Sequence, residues 1–256
     1  MTLLRGKTVV VTGAGHGLGR AYAFACAAAG ARVVVNDVDA EAAAAVAAEV
    51  GGVAEPGSVG DWSVAERLVA TACRRYHGIH GLIANAGVTR LAAPWDLGEA
   101  DLRRIAEVNV LGTQFCATHA MRAMVRQGAG GSIVTVVSGA RFGIPGMSAY
   151  GASKGAVAAM TAGWALDGAP HGIRVNAVSP LALTDMAAVD ARPDRPVLGP
   201  PEDVAPVVVA LLSDATRGVT GRIVRYDGSE LSVYGPEGPR RLGAARDAGT
   251  IAALLR

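Results

Sequence analysis

Cysteine is scarce in this chain: Cys26, Cys73 and Cys116 lie far apart and are odd in number. No C-x-x-C pair and no metal-ligand spacing occurs. That argues against a disulfide-stapled scaffold or a zinc module, and predicts no metal and a reducing, cytoplasmic setting. An excess of charge is missing too, with 24 Lys and Arg against 22 Asp and Glu in 256 residues. Such a balance gives no reason to expect nucleic acid or an anionic membrane as partner. The basic clusters are short, Arg74-Arg75, Arg103-Arg104 and Arg240-Arg241, and read as solvated surface. No apolar run reaches the roughly 18 residues of a membrane span. Met1 runs into an apparent strand by Thr8, which leaves no room for a signal peptide. No fixed-period repeat and no Pro/Ser-rich linker divides the chain. One domain over residues 1–256 is therefore expected, long enough to bury a sizeable core.

What the chain does have is alternation. Short β-branched runs alternate with longer Ala/Leu-rich runs. Strands are predicted at Lys7 to Val11, Arg32 to Asn36, Val53-Ala54, Leu82 to Ala84, Ser132 to Val137, Arg174 to Val178 and Arg222 to Arg225. Helices are predicted at Gly17 to Ala29, stopped by Gly30, and at Ala40 to Val50, capped by Asp39. Further helices are expected at Val64 to Tyr76, Glu99 to Arg126, Ala149 to Leu166 and Glu202 to Ser213. This order predicts an α/β fold with a parallel sheet covered on both faces. The tail over residues 234–256 is Gly/Pro-punctuated, and its packing stays open.

Thr12-Gly13-Ala14-Gly15-His16-Gly17-Leu18-Gly19 follows a strand and opens a helix. Glycines let a backbone approach a pyrophosphate, and a helix N-terminus offers N–H groups and the positive end of its dipole. The spacing is G-x-x-x-G-x-G, not G-x-G-x-x-G. The bland alternative is a glycine-rich turn without ligand. Asp37 ends the second strand about twenty residues on, where a carboxylate binds the ribose hydroxyls of NAD and repels a 2′-phosphate. NAD is therefore favoured over NADP. His16 and Arg32 are the nearby groups that argue otherwise. Asp39 already fills the helix-cap role.

Tyr150 and Lys154 stand four apart, on one helical face. A cation there stabilises phenolate and lowers a phenol pKa that is otherwise too high for a base. Y-x-x-x-K is common on solvated helix faces, but this helix is otherwise small and apolar. Ser138 follows the fifth strand at the carboxyl edge of the sheet, where ligands bind, so its hydroxyl can polarise a substrate oxygen. Its alternative is a turn residue. Ser148 and Ser153 read as helix start and helix surface. Asn109 lies inside the long helix, either as a hydrogen-bonded core amide or as a holder of water on a proton path to Lys154.

Together these features resemble the short-chain dehydrogenase/reductase family, over about Gly6 to Ser232. The matching motifs are TGAGHGLG, Asp37, Ala84-Asn85-Ala86-Gly87, Asn109, Ser138, YGASK and IRVNAVSP with Thr184. The resemblance implies a Rossmann-type, doubly wound parallel sheet of about seven strands. It implies Tyr150 as acid/base, Ser138 as substrate holder and Asn109 as holder of a relay water. Lys154 would tune Tyr150 and bind the nicotinamide ribose. The implied cofactor contacts are Gly13, Gly15, His16, Gly17, Leu18, Gly19, Asp37, Ser58, Val59, Asn85, Ala86, Gly87, Tyr150, Lys154, Pro180, Leu181, Leu183 and Thr184. Departures are Ala84 in place of Asn, Ser58 where an Asp commonly meets adenine, and Pro180-Leu181 in place of Pro-Gly. The Ser138-to-Tyr150 gap is one residue short, so an ungapped reading puts Val137 at the serine's place.

The expected activity is NAD-dependent interconversion of a secondary alcohol and a ketone. An epimerase or dehydratase using bound NAD is the alternative, and a non-catalytic nucleotide sensor has no need of Tyr150 with Lys154. Trp95, Phe142, Ile144, Met147, Leu183 and Met186 are expected pocket walls, which predicts a mostly apolar small-molecule substrate. Arg90 and Arg141 offer a steering charge, or are simply exposed. The resemblance also implies a homotetramer or homodimer pairing through the long helix and the Tyr150 helix. Small residues Gly155, Ala158, Ala159, Ala162 and Gly163 support it.

Overall fold

The computed structural model describes residues 2–182, 198–235 and 238–255. Leu183, Thr184 and Met186, named above as contacts, lie outside them. Seven parallel strands come first: β1 Thr8–Val11, β2 Arg32–Val35, β3 Val53–Ala54, β4 Gly81–Ala84, β5 Gly131–Val136, β6 Ile173–Pro180 and β7 Ile223–Tyr226. The expected count of about seven needs correcting, because β8 Glu230–Gly235 and β9 Gly238–Ala244 extend the sheet antiparallel. The order is β3-β2-β1-β4-β5-β6-β7-β8-β9. Part of the expected tail is thus β9, the last strand at that edge of the sheet.

The helices are α1 Gly17–Ala28, α2 Ala40–Glu49, α3 Trp62–Tyr76, α4 Glu99–Ile105, α5 Thr113–Gln127, α6 Ser148–Gly168, α7 Pro201–Val204, α8 Pro206–Leu212 and α9 Ala248–Leu254. The expected long helix over residues 99–126 is α4 and α5 joined by a π-helical stretch, Ala106–Gly112. A π turn inserts an extra residue into the helix, and such bulges concentrate at functional sites. This one puts Asn109 in the interior, fully buried.

Strand periodicity sorts the core into two layers. Val9, Val11, Val33 and Val35 face α1, α2 and α8, whereas Val10, Val34, Leu82 and Ile133 face α3 and α5. Each fully buried valine contributes roughly 1.5–3 kcal/mol. The α6 helix covers Val137 and Ala177 on the second face. The chain runs outward from β1 to β3, then returns to β4 on β1's other side. That reversal opens a crevice beyond the carboxyl ends of β1 and β4, where ligands bind in such sheets.

Candidate active site

The crevice holds a cavity of about 780 Å³. The loop after β1 forms its floor. Gly13 has φ +61, and a Cβ there would come within 2.8 Å of Ala86 Cα. A Cβ on Gly19 would collide with the Gly13 carbonyl oxygen. Only glycine permits this packing. Thr12 ties the loop to the end of β4: its Oγ1 accepts from the Asn85 and Ala86 N–H groups at 3.0 and 3.1 Å. Asn85 Nδ2 donates to the Thr12 and Gly13 carbonyls. Helix α1 starts with no side-chain cap, whereas Asp39 and Asp61 cap α2 and α3. An uncapped helix start behind a glycine cradle, facing a large cavity, fits a pyrophosphate.

Asp37 follows β2 and lines the cavity beside Val38, Ser58 and Val59. Its carboxylate is not idle: Oδ2 accepts from Gly15 N–H at 2.8 Å and Oδ1 from Asp39 N–H at 3.1 Å. Gly15 thus meets Asp37 and is absent from the cavity wall. His16 lines the cavity with its Nε2 3.5 Å from Asp39 Oδ2. Arg32 sits at the opposite end of β2, its guanidinium over the Tyr76 ring.

Ser138, Tyr150 and Lys154 meet across the cavity from Asp37. Ser138 stands between β5 and a short 3-10 turn, its Oγ accepting from Ala140 N–H. Burial pushes the Tyr150 phenol up to about 12, and a hydrogen bond with Ser138 pulls it partly back. Lys154 was expected to lower that phenol, but burial outweighs any such effect. Lys154 is itself 3% exposed, and burial lowers it to about 8. Its ammonium donates to the Val136 carbonyl at 2.8 Å. Val137 shares the cavity wall, but Ser138 is the hydroxyl beside the phenol.

Asn109 does not line the cavity. Its Oδ1 accepts from Val88 N–H, and its Nδ2 donates to the Val88 carbonyl and to Ser153 Oγ. Ser153 is buried and donates to the Tyr150 carbonyl, which corrects its reading as helix surface. Asn109 therefore clamps the loop following Gly87 to the turn of α6 that bears Tyr150. A Cβ on Gly87 would sit 3.3 Å from Asn109 Oδ1 and 3.5 Å from Lys154 Nζ, so these groups converge on one point.

Of the expected cofactor contacts, Gly13, His16, Gly17, Leu18, Gly19, Asp37, Ser58, Val59, Asn85, Ala86, Gly87, Pro180 and Leu181 line the cavity. Ile144 and Met147 line its substrate end. Trp95 is 84% exposed and Phe142 65%, and neither reaches the wall. Trp95 rides a 3-10 turn in the solvent, and Phe142 packs on Tyr234. Sequence reasoning missed Arg104, Glu107 and Arg225, because only the packed sheet brings them to the crevice.

A parallel sheet with a glycine cradle at its switch point and a Ser-Tyr-Lys cluster beside it defines a dinucleotide-dependent oxidoreductase. The chain belongs to the short-chain dehydrogenase family, whose model its residues 7–194 match. Enzymes of this family use NAD(P). The chain is 35% identical to 2,5-dichloro-2,5-cyclohexadiene-1,4-diol dehydrogenase of Sphingobium indicum, over 91% of this chain and 100% of the relative. It is 35% identical to cis-4-hydroxycyclohexanecarboxylate dehydrogenase of Sinomonas cyclohexanicum, over 65% and 71%. A short chain dehydrogenase from Mycobacterium avium superposes with TM-score 0.80 at 33% identity, covering 90% of this chain and 86% of that one.

Proposed function

We propose that the protein is an NAD-dependent dehydrogenase that interconverts a carbocyclic secondary alcohol and its ketone. The observation that carries the reading is the meeting of Ser138 and Tyr150 with Lys154 in a cavity that continues to the glycine cradle. When bound, the cofactor accepts or supplies the hydride. Tyr150 handles the proton at the substrate oxygen. It is a neutral phenol at pH 7 and so donates in the reducing direction, while oxidation requires it to accept. Ser138 Oγ holds that oxygen and stabilises phenolate. Lys154 supplies a positive charge beneath the ring that fades near pH 8. Asn109 positions both through Ser153 and Val88.

Two features support NAD over NADP. Asp37 puts a carboxylate where a 2′-phosphate would need room, and neither His16 nor Arg32 is placed to compensate. His16 lies against Asp39, and Arg32 is at the far edge of the sheet. The two curated relatives above are both named for six-membered-ring alcohols, which supports the substrate class. The test is an NAD-linked screen of cyclic secondary alcohols and ketones. Sustained NADH formation supports the reading. Cofactor that stays bound through purification, with no net turnover, would favour an epimerase or dehydratase instead.

A further inference from the structure

The β7 strand brings an arginine to an otherwise apolar end of the cavity. Arg225 lines it together with Ser138, Ile144, Met147 and Leu198. Ile223, two residues earlier, packs against Val137 and the α6 residue Val157. Strand alternation puts Arg225 on that same face, beneath the helix that carries Tyr150. The register fixes its level. Val136 pairs with Val178 and Val178 with Val224, so Arg225 stands level with Val137, one residue short of Ser138. Two strand spacings separate the backbones, roughly 10 Å.

No carboxylate among the described residues pairs with Arg225. Its Nη1 donates to the Tyr234 hydroxyl at 3.4 Å. The Tyr234 ring packs on Phe142 and lies 4.6 Å from the Arg141 guanidinium carbon. Arg141 Nε is buried with no hydrogen-bond partner among the described residues. Two guanidiniums therefore flank one tyrosine, and among the described residues no acid pairs with either. Both arginines are half-buried, and a bound anion would offset the cost of holding two like charges beside each other. A guanidinium fork matches a carboxylate in shape as well as charge.

Resting on the dehydrogenase reading above, we propose that Arg225, held by the Tyr234 hydroxyl, recognises a carboxylate on the substrate. The substrate class is then an apolar, ring-sized hydroxy acid whose carboxylate stands several bonds from the carbinol.

The test uses 4-hydroxycyclohexanecarboxylate and its methyl ester, with NAD, on the unmodified enzyme, Arg225→Met and Arg225→Lys. The unmodified enzyme should prefer the acid in kcat/KM by at least about tenfold, the scale of a charge-assisted hydrogen bond. Arg225→Met should cut that ratio at least about tenfold, chiefly through KM of the acid, and Arg225→Lys should keep part of it. Equal or greater preference for the ester, or a ratio unmoved by Arg225→Met, would overturn the proposal while leaving the dehydrogenase reading intact. Failure to oxidise either compound would count against that reading instead. Calorimetric binding of the acid then decides the carboxylate site: loss in Arg225→Met supports it, and equal binding to both proteins overturns it. Should Arg225→Met not fold, Arg225→Lys carries the same comparison.

Discussion

Lys154 Nζ lies 5.6 Å from the centroid of the Tyr150 ring, yet its hydrogen bond goes to the Val136 carbonyl. The ammonium is thus held under the phenol by the end of β5. This placement has an energetic consequence. Burial lowers Lys154 from 10.5 to about 8, so the charged form is disfavoured in the folded protein. The difference corresponds to roughly 3 kcal/mol, as an upper bound.

Lys154→Met is therefore expected to stabilise the protein while disabling it. The sign follows from proton binding. Between about pH 8 and 10.5 the unfolded chain holds the lysine proton and the folded chain does not, so stability rises with pH. The penalty is full below pH 8. The variant's advantage in urea denaturation should be largest near pH 7 and shrink towards pH 10. A variant less stable than the parent at pH 7 would contradict this account.

Ser138→Ala is expected to move the pH profile of alcohol oxidation. The Ser138 hydrogen bond holds the Tyr150 phenol below where burial alone would put it. Its removal raises the phenol pKa further, so the alkaline rise in kcat/KM should shift to higher pH. NAD affinity should stay near that of the parent. A fall in rate with an unshifted profile would mean that Ser138 only holds substrate.

Much of this site was legible because its chemistry is local. The glycine loop, Asp37 and the Tyr150–Lys154 pair are short patterns whose neighbours in sequence are neighbours in space. Other parts depend on packing. Ser153 reads as helix surface until Asn109 is seen to reach it across 44 residues. Asn109 enters the interior through a π turn, which no periodicity in the sequence marks. Trp95 and Phe142 looked like walls because they are large and apolar, but exposure depends on the loop's path. The two added strands were hidden by Gly and Pro, which read as tail. Arg225 is invisible as a site residue without the β6–β7 register.

Cofactor preference is expected to separate into charge and hydrogen bonding at Asp37. Asp37→Asn keeps an acceptor near Gly15 N–H and removes the negative charge. It should raise NADP affinity relative to NAD with the loop intact. Asp37→Ala also frees Gly15 and should weaken both cofactors while narrowing the gap. Fluorescence titration with each cofactor measures this. Equal affinity of the unmodified protein for both would remove the role assigned to the carboxylate.

Self-association is expected through α5 and α6. Ala159, Ala162 and Gly163 lie exposed on α6, and a Cβ on Gly155 or Gly163 would meet nothing within 4 Å. Ala158, by contrast, packs on the sheet. A small-residue face lets two helices approach closely. Ala159→Arg should shift the protein towards monomer in light scattering. A monomeric parent at working concentration would refute the expectation.

Tyr150→Phe tests the proton step directly. The ring is buried and only its hydroxyl meets Ser138, so removing one oxygen preserves the packing. General acid–base groups contribute about 10²–10⁴-fold, and turnover should fall by that order. NAD affinity should change little, because the glycine cradle and Asp37 lie across the cavity from the phenol. The proton contribution also predicts the pH response: residual activity in the variant should lose the alkaline rise that the Tyr150 phenol imposes on alcohol oxidation. Near-parental turnover in a folded, NAD-binding variant would show that another group moves the proton.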